Sequence, residues 1–198
     1  MVVVQNTAFG SDYHFDHPNV IKYDKRPFKD VHHMNESIIA NHNALVKDSD
    51  NFYYLGDFAF SRKTERVEEH LKRLNGNKFF IDGNHDRKII KLYEKYGTYL
   101  GSLAEINVGD RHIVLCHYPL LVWNRSHHGS WHLFGHCHQS LPDNPHSLSF
   151  DAGCNGWGYG PVIMPQVEKK MATKIYKPID HHGTREGEQY AASAQRGV

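Results

Sequence analysis

The sequence predicts an α/β fold of two mixed β-sheets packed face to face, with helices mostly on the outside. Three observations carry this. In the first half, short apolar runs alternate with amphipathic stretches in the order strand, helix, strand, helix, strand, helix, which is the order of a largely parallel sheet. In the second half the rhythm changes to strands joined by loops, a meander that predicts a second sheet. Five short polar motifs each follow an apolar run, as expected where ligand-binding groups gather beyond the carboxyl ends of parallel strands.

The elements follow in order. Val2 to Phe9 read as the first strand, running into Gly10 and the loop SDYHFDH, Ser11 to His17. Asn35 is the predicted N-cap of a helix in which Ile38, Ile39, Leu45 and Val46 recur at roughly helical spacing, up to Val46 or Lys47. Phe52 to Leu55 form a buried strand stopped by Gly56. A helix over Arg62 to Leu74 places Val67, Leu71 and Leu74 on one face, with Gly76 just beyond its end. Lys78 to Asp82 form another strand, ending at Gly83, and Asp86 to Tyr96 a further helix closed by Gly97. Then come strands at Ala104 to Val108, Arg111 to Cys116, Trp131 to Phe134 and Leu148 to Ala152, with Gly109 and Asp110 as a hairpin turn. From Glu168 the chain turns polar and loses periodicity.

At 198 residues the chain suits one domain, predicted over residues 1–178, with 179–198 a flexible C-terminal tail. A net charge of +1 gives no bulk electrostatic pull toward nucleic acid or a membrane surface, so neither a membrane partner nor a long nucleic-acid footprint is expected. Three cysteines, an odd number, without a signal peptide or a long apolar run, predict reduced thiols and a cytoplasmic protein. Seventeen histidines exceed an ordinary composition several-fold, and histidine is the commonest metal ligand.

The motifs at the strand ends are Asp12-Tyr13-His14, Gly56-Asp57, Gly83-Asn84-His85-Asp86, Cys116-His117 and Gly135-His136-Cys137-His138. Carboxylates, imidazoles and an amide are the donors of an oxygen-and-nitrogen site for two metal ions, with no thiolate among them. Two close divalent ions need a bridging carboxylate to offset their repulsion, and Asp57, alone after a glycine turn, suits that role. Taken singly, Asp12, Asp57 and Asn84 also suit turns, where Asp and Asn bond their own backbone. A structural zinc site using Cys116, Cys137 and Cys154 is the other alternative, but their spacing lacks the paired C-x-x-C form.

In this order the five motifs resemble those of the calcineurin-like metallophosphoesterases, over roughly Val2 to Pro165, most nearly the small single-domain bacterial and phage type. The resemblance implies a four-layer αββα sandwich. It also implies one metal held by Asp12, His14, Asp57 and His138, and a second held by Asp57, Asn84, His117 and His136. The implied chemistry is hydrolysis of a phosphate ester by in-line attack of a metal-bound hydroxide. His85 would stabilise developing charge or protonate the leaving oxygen, with Asp86 orienting its ring. SDYHFDH also fits most of a second two-metal pattern, H-x-H-x-D-H of the metallo-β-lactamases. Asp12 stands there in place of the first histidine, and the later motifs have no place in that fold. Asp16 and His17 are therefore not expected to be ligands.

The enzyme expected is a metal-dependent phosphoric ester hydrolase, a phosphodiesterase acting on small, nucleotide-like substrates, with manganese as the leading metal and iron, zinc or nickel as alternatives. The alternatives are a phosphomonoesterase, whether nucleotide or protein phosphatase, and a non-catalytic protein-binding scaffold. The scaffold is disfavoured because all ligand positions and His85 are kept. His17, Arg26, Arg87, Arg125, His127 and His128 are the candidate substrate contacts.

Overall fold

A computed structural model of the protein describes residues 6–61 and 63–180. The first four residues of the expected first strand, the expected helix start at Arg62, and all of the expected tail beyond residue 180, with His181 and His182, lie outside the described residues.

The first sheet has five strands in the order β4-β3-β2-β1-β9: β1 (Thr7–Gly10), β2 (Asn51–Tyr54), β3 (Asn77–Ile81), β4 (Thr98–Gly101) and β9 (Val162–Ile163). β1 to β4 are mutually parallel, and β9 runs antiparallel on β1. Strand alternation sorts their side chains by face. Ala8, Phe52, Tyr54 and Phe80 point to a helical layer of α1 (Pro18–Tyr23), α2 (Val31–Leu45), α3 (Thr64–Arg73) and α4 (Ile90–Tyr96), packing on Ile38, Val67, Leu71 and Tyr93. Phe80 and Tyr93 stack at 4.2 Å. Phe9 and Ile81 point the other way, into a layer shared with the second sheet.

That second sheet, in the order β5-β6-β7-β8, comprises β5 (Leu103–Val108), β6 (Arg111–Cys116), β7 (Trp131–Phe134) and β8 (Ser149–Asp151). Ile113, Leu115, Leu133 and Phe150 complete the layer between the sheets. Each such fully buried side chain contributes about 1.5–3 kcal/mol relative to exposure. His132, on the opposite face of β7 from Leu133, is covered by Trp123, whose ring lies 5.2 Å away. Two mixed sheets flanked by helices are thus what the chain forms.

Three local expectations need correction. β6, β7 and β8 are parallel rather than a meander. Residues 117–130 and 135–148 each supply the crossover of about a dozen residues that parallel neighbours need. Asn35 is not a cap: α2 starts at Val31, and the Asp30 carboxylate accepts from the His33 amide at 2.7 Å. Asn35 is buried instead, accepting from the Asp16 amide and donating to the Asp16 carboxylate. The chain past Glu168 is not irregular either. α5 (Met164–Ala172) starts earlier, and its apolar face is carried by Val167 and Met171, four residues apart. No described helix is long and apolar enough to cross a membrane.

Candidate metal centre

Gly10 pairs with Tyr54, and Tyr54 with Phe80, so β1, β2 and β3 end at one level. Their loops deliver Asp12 and His14, then Asp57, then Asn84 and His85 to one place. β6 and β7 of the second sheet end beside it and add His117, His136 and His138. The expected motifs therefore meet beyond the carboxyl ends of parallel strands from both sheets.

The backbone there is strained. Asp12, His14, Asp57, His136 and His138 all have left-handed φ, between 48° and 68°. Such residues cost on the order of 1–3 kcal/mol each, and they persist only where surroundings enforce them. The enforcing bonds are specific. The Asp12 amide donates to Gly56 O at 3.0 Å, the His14 amide to Asp57 O at 3.1 Å, and the His136 amide to the Asp12 carboxylate at 3.0 Å. Asp86, fully buried, accepts from the amides of Asp57, Gly83 and Phe58 at 2.7, 2.8 and 3.0 Å. Glycine is required where these loops touch. At Gly56, φ +97°, a side chain would also meet the Gly83 backbone and the His117 ring, and at Gly135 it would strike Ser11 and Asp12.

Two groups result, Asp12 with His14 and His138, and Asp57 with His117 and His136; within each, the ligating atoms lie within 4.8 Å of one another. Asp57 Oδ2 stands between the groups, 3.7 Å from His14 Nε2 and 3.5 Å from His117 Nε2. Asn84 Oδ1 lies 3.2 Å from His117 Nε2 and 3.1 Å from His136 Nδ1. Nε2 of His14 and of His138 face each other at 3.0 Å. Asp12 and Asp57 are buried, and their only ionic partners among the described residues are histidines. Buried charges are paired or bind metal, and this donor set fits two divalent cations.

The outer groups orient the imidazoles to suit. His117 Nδ1 donates to Leu55 O at 2.8 Å and His138 Nδ1 to Asp24 Oδ2 at 2.7 Å, which turns each Nε2 toward the site. Burial pushes the His14 pKa down to about 3 against the pull of Asp12 and Asp57, leaving a neutral ring. Burial acts in the same direction on His138, but hydrogen bonds and charge from Asp12 and Asp24 outweigh it and raise that pKa to about 10. Burial would raise Asp57, yet His117 and the His85 amide bring it down to about 2. The Asp86 pKa is raised by burial.

His85 lies in the cleft with its amide donating to Asp57 Oδ1 at 2.9 Å and its Nε2 3.8 Å from Asp57 Oδ2. Asp86 does not orient the His85 ring: its carboxylate is taken up by the three amides above, and it shapes the Asp57 loop. Among the substrate candidates, only His17 lines the cleft, a space of about 440 Å³. Arg26 is 3 % exposed, its guanidinium filled by the carbonyls of Asp12 and Tyr13 at 2.9 and 3.0 Å and by Asp24 at 3.3 Å, so it braces the ligand loop from behind. Arg87 and Arg125 are exposed but outside the cleft. His127, 3.4 Å from Asp180, and His128 sit on the short 3-10 turn between β6 and β7, also outside it. Asp16 is held by Arg66, Asn35 and His70. No cysteine enters either metal-type group among the described residues.

Sequence reading passed over Asp24, which also accepts from Asn155 Nδ2 at 2.9 Å. Its partner His138 is 114 positions away, and no spacing rule reaches that far. A larger, mostly apolar cavity of 680 Å³, bounded by Trp123, Phe150, Trp157 and Tyr176, shares no lining residue with the cleft and holds none of these ligands.

No family model matches the chain. Over 177 residues it is 35 % identical to the uncharacterized protein MJ1445 of Methanocaldococcus jannaschii, covering 86 % of this chain and 94 % of that protein. The chain belongs to the family of MJ1445. Its fold is that of the protein of unknown function AQ665 from Aquifex aeolicus, with a TM-score of 0.66 at 21 % identity, covering 84 % of this chain and 99 % of that one. A solved structure of an archaeal phosphodiesterase aligns with a TM-score of 0.47 at 20 % identity, over 77 % of this chain and 87 % of that one.

Proposed function

We propose that this member of the MJ1445 family is a binuclear-metal-dependent phosphoesterase of the calcineurin-like kind, hydrolysing small, nucleotide-like phosphodiesters in the cytoplasm. The convergence of six ligand-type side chains into two groups, with Asn84 beside His117 and His136 and the Asp57 carboxylate between the groups, carries this reading. Two divalent ions held by these residues, manganese foremost for an oxygen-and-nitrogen shell, would when bound supply Lewis acidity toward phosphoryl oxygens and lower the pKa of water from about 15.7 toward 7.

The chain does the rest. Asp57 sits between the groups, where its negative charge would offset the repulsion of two bound cations. Asp24 and Leu55 O fix the rings of His138 and His117, so that ligands arrive oriented. His85, anchored through its amide to Asp57 but with its ring open to the cleft, is placed to give a proton or a charged hydrogen bond to the leaving oxygen. Among the described residues no separate cap closes over the cleft, which leaves room for groups on both sides of a diester.

The test uses bis-p-nitrophenyl phosphate and p-nitrophenyl phosphate, with chelator-stripped protein and protein refilled with Mn²⁺. Metal-dependent turnover, faster on the diester, is expected. His85→Asn keeps its metal content and loses at least about 100-fold in kcat, the size typical of a general acid or base. Absence of turnover on either ester despite full metal content would return the scaffold reading.

A further inference from the structure

The cleft beside the metal-type groups has an aromatic wall. Tyr23 and Phe60 are 74 % and 52 % exposed, and both line the cleft together with His14, Asp57 and His85. Single exposed apolar residues need no explanation, but these two are joined through a third ring. His17 stacks on Phe60 at 4.3 Å with planes 22° apart, and meets Tyr23 edge-on at 6.3 Å. Phe60 in turn meets His85 edge-on at 5.5 Å, so the wall runs to the residue assigned to the leaving oxygen.

The wall is held from below. The Phe60 amide donates to Phe15 O at 2.8 Å, and Ala59 bridges Phe15. The helix carrying Tyr23 is anchored by buried Val20, and the Arg26 amide returns to Ile21 O at 2.9 Å. Among the described residues neither Lys nor Arg lines the cleft: Arg26 is consumed in bracing the Asp12 loop, and Arg87 and Arg125 lie elsewhere. Exposed rings next to a phosphate site favour a ligand that carries a flat, apolar π-face close to its phosphate.

We propose that Phe60 and Tyr23, with His17 between them, form a stacking wall that selects phosphoesters carrying a nucleobase. This rests on the phosphoesterase reading and names the residues that set its specificity. Base–aromatic stacking raises affinity roughly 5- to 100-fold per base.

The test is calorimetric titration of the Mn²⁺-loaded full chain with non-hydrolysable phosphonate analogues of adenosine 5′-monophosphate and of ribose 5-phosphate, which differ only in the base. The adenosine analogue should bind roughly 5- to 100-fold more tightly. Phe60→Ala and Tyr23→Ala should each narrow that gap, leaving metal content and ribose-analogue affinity unchanged, while Phe60→Trp restores it. Equal, metal-dependent affinity for both analogues, or a gap that survives both substitutions, overturns the wall alone. A change in oligomeric state in these variants, with the gap intact, overturns it in favour of a self-association surface. Failure of either analogue to prefer metal-loaded over stripped protein overturns the phosphoesterase reading, and the wall with it.

Discussion

Acidification is expected to destabilise the fold through His132. This residue is fully buried on β7. Its Nδ1 donates to Val114 O at 3.0 Å, and its Nε2 accepts from the Leu120 amide at 3.1 Å, so the neutral ring satisfies both neighbours and a second proton would face another donor. Burial pushes its pKa from 6.5 down to about 4. A depressed histidine adds its full stability above the unfolded value, near 6.5, and loses it as pH falls toward the folded value. The gap between 6.5 and about 4, at about 1.36 kcal/mol per pH unit, is worth about 3 kcal/mol. Urea denaturation of chelator-stripped protein, followed by tryptophan fluorescence from pH 7.5 to 4.5, measures it against His132→Gln. That variant is less stable at neutral pH, and its deficit relative to wild type should shrink by about 2–3 kcal/mol on acidification, other groups being common to both. A deficit that stays constant or grows with acid refutes the reasoning. His42, with the Tyr13 hydroxyl on Nδ1, Asn75 O on Nε2 and a pKa near 4, should behave alike.

Asp24→Asn should weaken one of the two metal ions by about 10- to 100-fold while leaving the stoichiometry intact, because it loosens the His138 ring without removing a ligand; calorimetry with Mn²⁺ measures this, and unchanged affinity would exclude the role. Asp86→Ala leaves three buried amides without their acceptor and should cost at least about 3 kcal/mol in urea unfolding, at about 1–3 kcal/mol for each unsatisfied group. A variant as stable as wild type would show that the amides find water instead.

What was legible in the sequence follows from range. The strand ends and their polar motifs are local signals, so Asp12, His14, Asp57, Asn84, His117, His136 and His138 could be named and their convergence argued from one rule about parallel sheets. Partner choice is not local. Arg26 reads as a surface phosphate clamp until the fold turns its fork onto the carbonyls of Asp12 and Tyr13, and Asp86 sits next to His85 in sequence yet spends its carboxylate on the amides of Asp57, Phe58 and Gly83. The missed helix α5 shows the same limit: its core face rests on Val167 and Met171 alone, too few apolar residues to reveal a period. Nothing in the sequence singles out Phe60 and Tyr23; their exposure on the cleft marks them.

The number of Mn²⁺ ions bound per chain, measured on wild type and Asp57→Asn after chelation and refilling, tests the binuclear centre most directly. Two ions in the wild type and at most one in the variant are predicted, because Asp57 is the carboxylate between the two groups. Equal stoichiometry in the two proteins, or no bound ion in the wild type, would contradict it.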